Sequence, residues 1–354
     1  MKLVFDVLHL YYLPQYLPVY RELLKQNAGT ATFIFYHGVH DEIIKEIIQQ
    51  EALDHVWVSS CEQAIEYYIQ HQADWIFFAN ACDHLEQVHK VSRTVQLGHG
   101  IGPKTSYYTK SNTPTTVRFV EGEYRTQRLK QMYPEDTFVD VGFCKLDPII
   151  QGQSSTIDLL QVGLEPDKKT LLYAPTFYPS SIECFPRDWP NTFANYNILI
   201  KPHYFSLSKS KYKKQRELLE YWQTFDNVYL ANVTDYSLVP FLASADLLIS
   251  DASSALFEFA ALNKPVVWCD FLKLRWSYRG PFAFRFKNRM DQDYGEYAEI
   301  AVHAKKYEQL KSIVDEQIAN PALLSKERQH YAKKLAGTLD GQASKRIINY
   351  LINH

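Results

Sequence analysis

Asp246-Leu247-Leu248-Ile249-Ser250-Asp251-Ala252-Ser253-Ser254-Ala255-Leu256-Phe257-Glu258-Phe259-Ala260-Ala261-Leu262-Asn263-Lys264-Pro265-Val266-Val267-Trp268 reads as strand, polar turn, helix and second strand. The apolar run Leu247 to Ile249 is strand-like, and Asn263-Lys264-Pro265 ends the helix before the next apolar run. A strand that turns directly into a helix leaves backbone N–H groups unpaired at the helix start, where phosphate is favoured. Ser253 and Ser254 add hydroxyl donors there. Ser254 and Glu258 stand four apart and share a helical face, so a carboxylate could meet ribose hydroxyls while the turn holds phosphates. The competing reading is an ordinary N-cap made by Asp251 and the serines.

The same alternation extends through the chain. Before this segment, strand-like runs occur at Leu3 to Leu8, Ala31 to Tyr36, Val56 to Val58, Trp75 to Phe78, Thr94 to Leu97 and Phe138 to Val141. A second series follows at Thr170 to Tyr173, Asn197 to Ile200 and Val228 to Leu230. Helical patterns lie between them, and the tail from about 296 to 352 reads as mostly helical. Short apolar strands alternating with helices predict parallel sheets covered on both faces. The 354 residues suit two domains. The polar run Gln151 to Thr156 is the best linker, giving an N-terminal domain over 1–150, a linker over 151–166 and a C-terminal domain over 167–354. The final helices are open to crossing back to the first domain. A central cleft between two such domains is the expected binding place, because open parallel sheets bind ligands beyond the carboxyl ends of their strands.

Composition narrows the function. Lys+Arg is 38 against Asp+Glu 40, so no global pull toward nucleic acid follows. The five cysteines are widely spaced with no C-x-x-C pair, which fits a reducing compartment and neither a disulfide frame nor a zinc knuckle. The chain shows no signal-peptide pattern and no apolar run long enough to span a membrane. The expectation is a cytoplasmic protein, with peripheral contact at the inner face of the cell membrane open. Twenty-five tyrosines and 20 phenylalanines are many; some could line an acceptor groove, and most should be packed.

Three further elements carry candidate chemistry. Thr94 to Leu97 runs into Gly98-His99-Gly100-Ile101-Gly102-Pro103-Lys104. A histidine between glycines past a strand is open to a ligand and accepts a proton near neutrality. Lys104 could face phosphate, although the string lacks the P-loop spacing. Ile198-Leu199-Ile200-Lys201-Pro202-His203 places another Lys and His at a strand end, where His203 could donate to a phosphate oxygen. Leu172-Tyr173-Ala174-Pro175-Thr176 ends a strand on a hydroxyl. The segment Lys273 to Arg289, with Arg275 and Arg279, interleaves cations with aromatic rings and could take a polyanionic acceptor, a lipid phosphate or the donor pyrophosphate. Asp291-Gln292-Asp293 is the one D-x-D element and carries little weight. No zinc-protease, nucleophile-elbow or Walker signature occurs, and no metal ligands are assigned.

Taken together, His99-Gly100 with Lys104, Val141-Gly142-Phe143-Cys144-Lys145-Leu146-Asp147, Tyr173-Ala174-Pro175-Thr176, Lys201-Pro202-His203 and Asp246 through Pro265 resemble the CDP-glycerol glycerophosphotransferase family, the teichoic-acid primases and polymerases and their relatives in capsule synthesis. The resemblance covers about half the chain. It implies an α/β chain of GT-B fold, two Rossmann-like domains with parallel sheets facing a central cleft. It implies a CDP-glycerol or other CDP-alditol donor on the C-terminal domain and a glycan or lipid-linked polymer acceptor on the N-terminal one. Transfer of alditol phosphate would release CMP. His99 would activate the acceptor hydroxyl, with Gly100, Lys104, Arg275 and Arg279 near acceptor or phosphate. His203 would meet the donor phosphate, with Thr176, Lys201, Asp251, Ser253, Ser254 and Glu258 around the nucleotide. The alternatives are a GT-B glycosyltransferase using a nucleotide sugar, a nucleotide-sugar 2-epimerase, and a non-catalytic nucleotide- or polymer-binding protein.

Overall fold

A computed structural model describes residues 1–38, 41–102, 105–109, 112–251, 253–274, 280–282 and 297–354. Two compact units divide the chain. The first comprises 1–101, 106–153 and 334–354, and the second 102–105 and 154–333. The chain therefore leaves the first unit after Gln153, and its last 21 residues return to it. The sequence alone assigns 167–354 to the second domain and leaves this return open.

In the first unit, β1 (Lys2–Val7), β2 (Thr30–Tyr36), β3 (His55–Val58), β4 (Trp75–Phe78), β5 (Arg93–Leu97), β6 (Val117–Val120) and β7 (Phe138–Asp140) form one parallel sheet in the order β3-β2-β1-β4-β5-β6-β7. Its helices include α1 (Leu13–Lys25), α2 (Asp41–Glu51), α3 (Cys61–His71), α4 (Glu123–Met132) and the short α5 (Asp147–Ile150). The chain steps outward from β1 on one side and from β4 on the other, so the strand order reverses between these two. Their residues are apolar on both faces, as a covered parallel sheet requires, and Phe5, Phe33 and Phe77 are fully buried. α3 starts on Ser60, whose side chain accepts from Gln63 N at 3.3 Å. The closing helix Ala343–Asn353 packs on α1. Its first N–H groups, those of Ala343 and Ser344, donate to the buried Asp147 carboxylate at 3.3 and 2.7 Å, so a remote acid caps this helix.

In the second unit, β8 (Thr170–Tyr173), β9 (Asn197–Ile200), β10 (Val228–Leu230), β11 (Leu247–Ser250), β12 (Val266–Cys269) and β13 (Val302–Ala304) form a second parallel sheet, ordered β10-β9-β8-β11-β12-β13. The order reverses between β8 and β11. Helices here include α6 (Trp189–Thr192), α7 (Tyr204–Ser208), α8 (Lys213–Trp222), α9 (Val239–Ser244), α10 (Ser254–Ala261) and Leu310–Ala319. Much of the sequence's aromatic richness lies in this core. Tyr173, Phe185, Trp189 and Trp222 meet at ring separations of 4.8 to 6.4 Å, each burial stabilising by about 1.5–3 kcal/mol. Trp222 keeps its indole N–H satisfied on the Arg187 carbonyl at 3.0 Å.

Three elements differ from the sequence reading. β6 escapes it because Arg118 interrupts the apolar run; the guanidinium is nonetheless buried, donating to the carbonyls of Thr109 (2.9 Å) and Tyr107. β13 escapes it because three residues carry too little periodicity, and the tail holding it reads as helical. α1 begins at Leu13, where the sequence pattern places a helix only at Pro18 to Gln26, with Pro14 in its first turn and Pro18 inside it. Proline suits a first turn, so Pro14 marks the true start.

Candidate active site

β8, β9 and β11 are neighbours, and their carboxyl ends deliver the second unit's candidates to one place. Asp251 follows β11 and is fully buried. Its Oδ1 accepts from Thr176 N at 2.7 Å, and its Oδ2 from Ser181 N and Ser181 Oγ at 2.9 Å each and from Ser180 Oγ at 3.5 Å. Ser181 spends its one hydroxyl proton on Asp251, so the Tyr173 hydroxyl, 2.8 Å away, is the donor to Ser181 Oγ. Burial raises the Asp251 pKa to about 6 against these hydrogen bonds, which lower it. Asp251 thus braces the strand ends from behind. The expected contact with donor nucleotide is corrected: a saturated, buried carboxylate offers phosphate nothing and would repel it.

Ser253 is the N-cap of α10, its Oγ accepting from Ala255 N at 3.3 Å. The cap reading therefore holds for Ser253, and not for Asp251. A capping hydroxyl keeps its own proton to donate. Ser254, partly exposed, opens the helix. Glu258, expected at the ribose, lies one turn further along α10. Ala255 through Ala260 are all buried, because this helix is apolar on nearly every side, and Glu258 is fully buried with them. Lys264, from the segment's closing triplet, acts structurally. Its Nζ donates to the carbonyls of Leu242, Ala243 and Ala245 at 2.8 to 3.0 Å, closing the end of α9.

Beyond β8, Thr176 is nearly buried. Phe177 next to it packs on the His203 ring, with centroids 4.6 Å apart. His203 N donates to Pro175 O at 3.2 Å, tying the two strand ends together. His203 caps α7, its Nδ1 accepting from Phe205 N at 3.1 Å. A nitrogen that accepts carries no proton, so a neutral His203 holds its proton on Nε2 and is a donor there. Lys201 is partly buried, its Nζ 6.0 Å from the Phe241 ring centre.

In the first unit, His99 follows β5 and is partly exposed. Its Nδ1 lies 3.2 Å from the Ala79 carbonyl at the end of β4. A carbonyl only accepts, so Nδ1 carries the proton and Nε2 is the basic nitrogen. The two histidines hold opposite tautomers, one presenting a basic nitrogen and the other a hydrogen-bond donor. Gly100 is buried beside His99. Gly102, which belongs to the second unit, has φ +114°, and a Cβ there would stand 2.6 Å from Phe257 Cδ2, so this position requires glycine. Lys104, Arg275, Arg279 and Asp291-Gln292-Asp293 lie outside the described residues. Among the described residues no group of His, Cys, Asp and Glu is arranged to hold a metal ion, and no helix is long and apolar enough to cross a membrane.

Sequence reasoning misses Ser180, Ser181 and Arg118, and also the rings around His99. Tyr11 and Tyr12 lie 5.3 Å from the His99 ring and Tyr107 6.0 Å. The position of Tyr11 and Tyr12 just past the first strand is the available signal.

The family model described as CDP-glycerol:poly(glycerophosphate) glycerophosphotransferase matches residues 104–353. A teichoic acid glycerol-phosphate primase of Bacillus spizizenii is 33% identical over 136 residues, covering 38% of this chain and 34% of that protein. A teichoic acid poly(ribitol-phosphate) polymerase of the same organism is 27% identical over 195 residues, covering 52% and 28%. The chain thus aligns with about a third of the length of these curated relatives. Among solved structures, the wall teichoic acid polymerase TagF soaked with CDPG superposes with a TM-score of 0.68 at 14% identity, covering all of this chain and 88% of that one. A UDP-N-acetylglucosamine 2-epimerase from Listeria monocytogenes, described as putative, gives 0.61 at 11% identity, covering 98% and 94%. At such identities the likeness shows the fold, which is GT-B.

Proposed function

Since the chain belongs to the CDP-glycerol:poly(glycerophosphate) glycerophosphotransferase family, we propose that it transfers an alditol phosphate, glycerol phosphate foremost, from a CDP-alditol to a hydroxyl of a glycan or polymer acceptor and releases CMP. The acceptor oxygen attacks the β-phosphorus, its proton passes to His99 Nε2, and the bond from that phosphorus to the CMP oxygen breaks. A phosphodiester forms and CMP leaves with the added negative charge. His203 Nε2–H donates to the donor phosphate as that charge develops. The hydroxyls of Ser253 and Ser254 with the first N–H groups of α10, helped by Thr176 and Lys201, hold the pyrophosphate. Gly100 gives the acceptor room beside His99, and Lys104, Arg275 and Arg279 supply cations for acceptor or phosphate. Attachment of the acceptor to lipid, and peripheral contact with the inner face of the cell membrane, belong to the same proposal and rest on the family alone.

The observation that carries the reading is the pair of opposed tautomers, Nδ1–H of His99 on Ala79 O and Nδ1 of His203 under Phe205 N–H. Phosphoryl transfer to a hydroxyl is served by one nitrogen that takes a proton and another N–H that donates a hydrogen bond to the developing charge. Calorimetric titration of CDP-glycerol into His99→Ala and His203→Ala, beside turnover, tests it. His99→Ala should bind the donor within about twofold of the parent and lose turnover by about 10²–10⁴. His203→Ala should weaken both. Unchanged turnover in a folded His99→Ala variant removes His99 from the mechanism.

A further inference from the structure

β6 lies beside β5, the strand whose end carries His99, with Arg118 in register with Gln96. Arg118 is only 7% exposed, and a charge is seldom buried so deeply without a carboxylate beside it. Among the described residues its hydrogen-bond partners are backbone carbonyls instead. Nη1 donates to Thr109 O at 2.9 Å and Nη2 to Tyr107 O. Burial, and then the like charge of Arg125, lower its pKa to about 10, which leaves it charged at neutral pH. The Tyr133 hydroxyl donates to the carbonyl between these two, Tyr108 O, at 2.9 Å. Three successive carbonyls of a segment outside the sheet are thus satisfied by side chains. The rings of that segment are held as well. Arg125, buried and paired with Glu121, lies 5.0 Å from the Tyr107 ring centre and 5.7 Å from that of Tyr108, and Arg128 lies 4.4 Å from the latter. Tyr107, itself buried, stands edge-on to His99, with ring centres 6.0 Å apart and 75° between the planes.

Resting on the reading of His99 as the proton acceptor, we propose that Arg118 is a positioning residue for the transfer. Its fork fixes the backbone of residues 107–109, and the Tyr107 ring so placed fixes the plane of the His99 imidazole. The hydrogen bond from His99 Nδ1 to Ala79 O holds one point of the ring and leaves rotation about it free. Contacts with neighbouring rings stop that rotation. Tyr11 and Tyr12 supply two of them from the segment after β1, and Tyr107 supplies the one that Arg118 controls. The plane of the imidazole sets the direction of the Nε2 lone pair, and misplacing a reacting group by about 1 Å costs about 10²-fold in rate. A planar guanidinium serves carbonyls two residues apart from two nitrogens in a fixed fork, whereas lysine keeps the charge and loses the fork.

Arg118→Lys and the milder Tyr133→Phe, each checked for folding by circular dichroism, test this with two readouts. In the full chain labelled with ¹⁵N-histidine, ¹H–¹⁵N correlation spectra report the His99 ring, its signals identified by their loss in His99→Ala. Both variants should move the His99 ring-proton shifts in the direction that Tyr107→Leu moves them, because the Tyr107 ring current falls on those protons. The second readout is CMP release from CDP-glycerol, with an alkyl glycoside and oligo(glycerol phosphate) offered as acceptors. Arg118→Lys should lower kcat about tenfold or more, while donor affinity by calorimetry and acceptor KM stay within about twofold. In a Tyr107→Leu background the same substitution should cost less than about twofold, since the route to His99 is already cut. His99 signals unmoved in whichever of Arg118→Lys and Tyr133→Phe folds, or an undiminished loss in the Tyr107→Leu background, overturns the proposal. If the parent releases no CMP from CDP-glycerol with either acceptor, the transferase reading fails, and the His99 spectra still decide whether Arg118 positions the ring.

Discussion

Asp251 and Lys264 stand within one short segment whose residues look, in sequence, as though they share a single role, and the structure gives each its own. Asp251 gathers the N–H groups of Thr176 and Ser181. Asp251→Ala should leave both buried and unsatisfied, destabilising the second unit by about 2–5 kcal/mol, read as the shift of its urea midpoint. The pH dependence has a definite sign. The folded pKa is raised to about 6 from 3.8, so the group's stabilising contribution is full below about pH 4 and is lost as pH rises through about 6. The stability of the parent relative to Asp251→Asn should therefore fall between about pH 4 and pH 7, by about 3 kcal/mol. Urea unfolding at a series of pH values measures it, and a flat difference would show that Asp251 titrates as an exposed acid. From sequence, Asp251 resembles a ligand because it stands beside serines in a polar turn. Its burial depends on Ser180 and Ser181, 70 residues or so earlier, which no local pattern connects to it.

The elements most legible in the sequence are those whose own residues determine them. The strands on either side of α10 are evident from continuous apolar runs, and the helix stop at Asn263 from its turn chemistry, where φ is +56°. β6 is not legible, because Arg118 is tolerated there only by carbonyls of residues 107 and 109, which the fold brings back over it. Histidine tautomers are equally hidden, since they depend on which backbone group each ring meets. At this scale α9 depends on Lys264, whose Nζ closes its last carbonyls from outside the helix. Lys264→Met keeps the apolar stem and removes the donors; a loss of about 2–3 kcal/mol follows, measured as the change in urea midpoint. Gly102→Ala should also destabilise, because its φ of +114° and the Phe257 ring both exclude a side chain.

Across the whole molecule, the chain crosses from the first unit to the second after Gln153 and returns at Lys334. Residues 343–354 should therefore stabilise the N-terminal sheet although they are last in sequence. Removing them exposes the face of α1 that they cover and deprives Asp147 of its two backbone donors. Hydrogen exchange on the truncated chain should lose protection at α1 and β1 first, with β8 to β11 keeping theirs. The GT-B plan is legible from the alternation of strands and helices together with the motif order, and the return of the tail is not, because an amphipathic helix does not say which sheet it covers. The central claim concerns the whole molecule as a catalyst, and ³¹P NMR of the parent protein with CDP-glycerol, CDP-ribitol and CMP-, UDP- and GDP-sugars, each with a sugar acceptor, tests it most directly. The account predicts that the pyrophosphate signals of a CDP-alditol are replaced by CMP and a new phosphodiester, and that His99→Ala abolishes the change. Nucleotide release from a sugar donor with both CDP-alditols inert would contradict it.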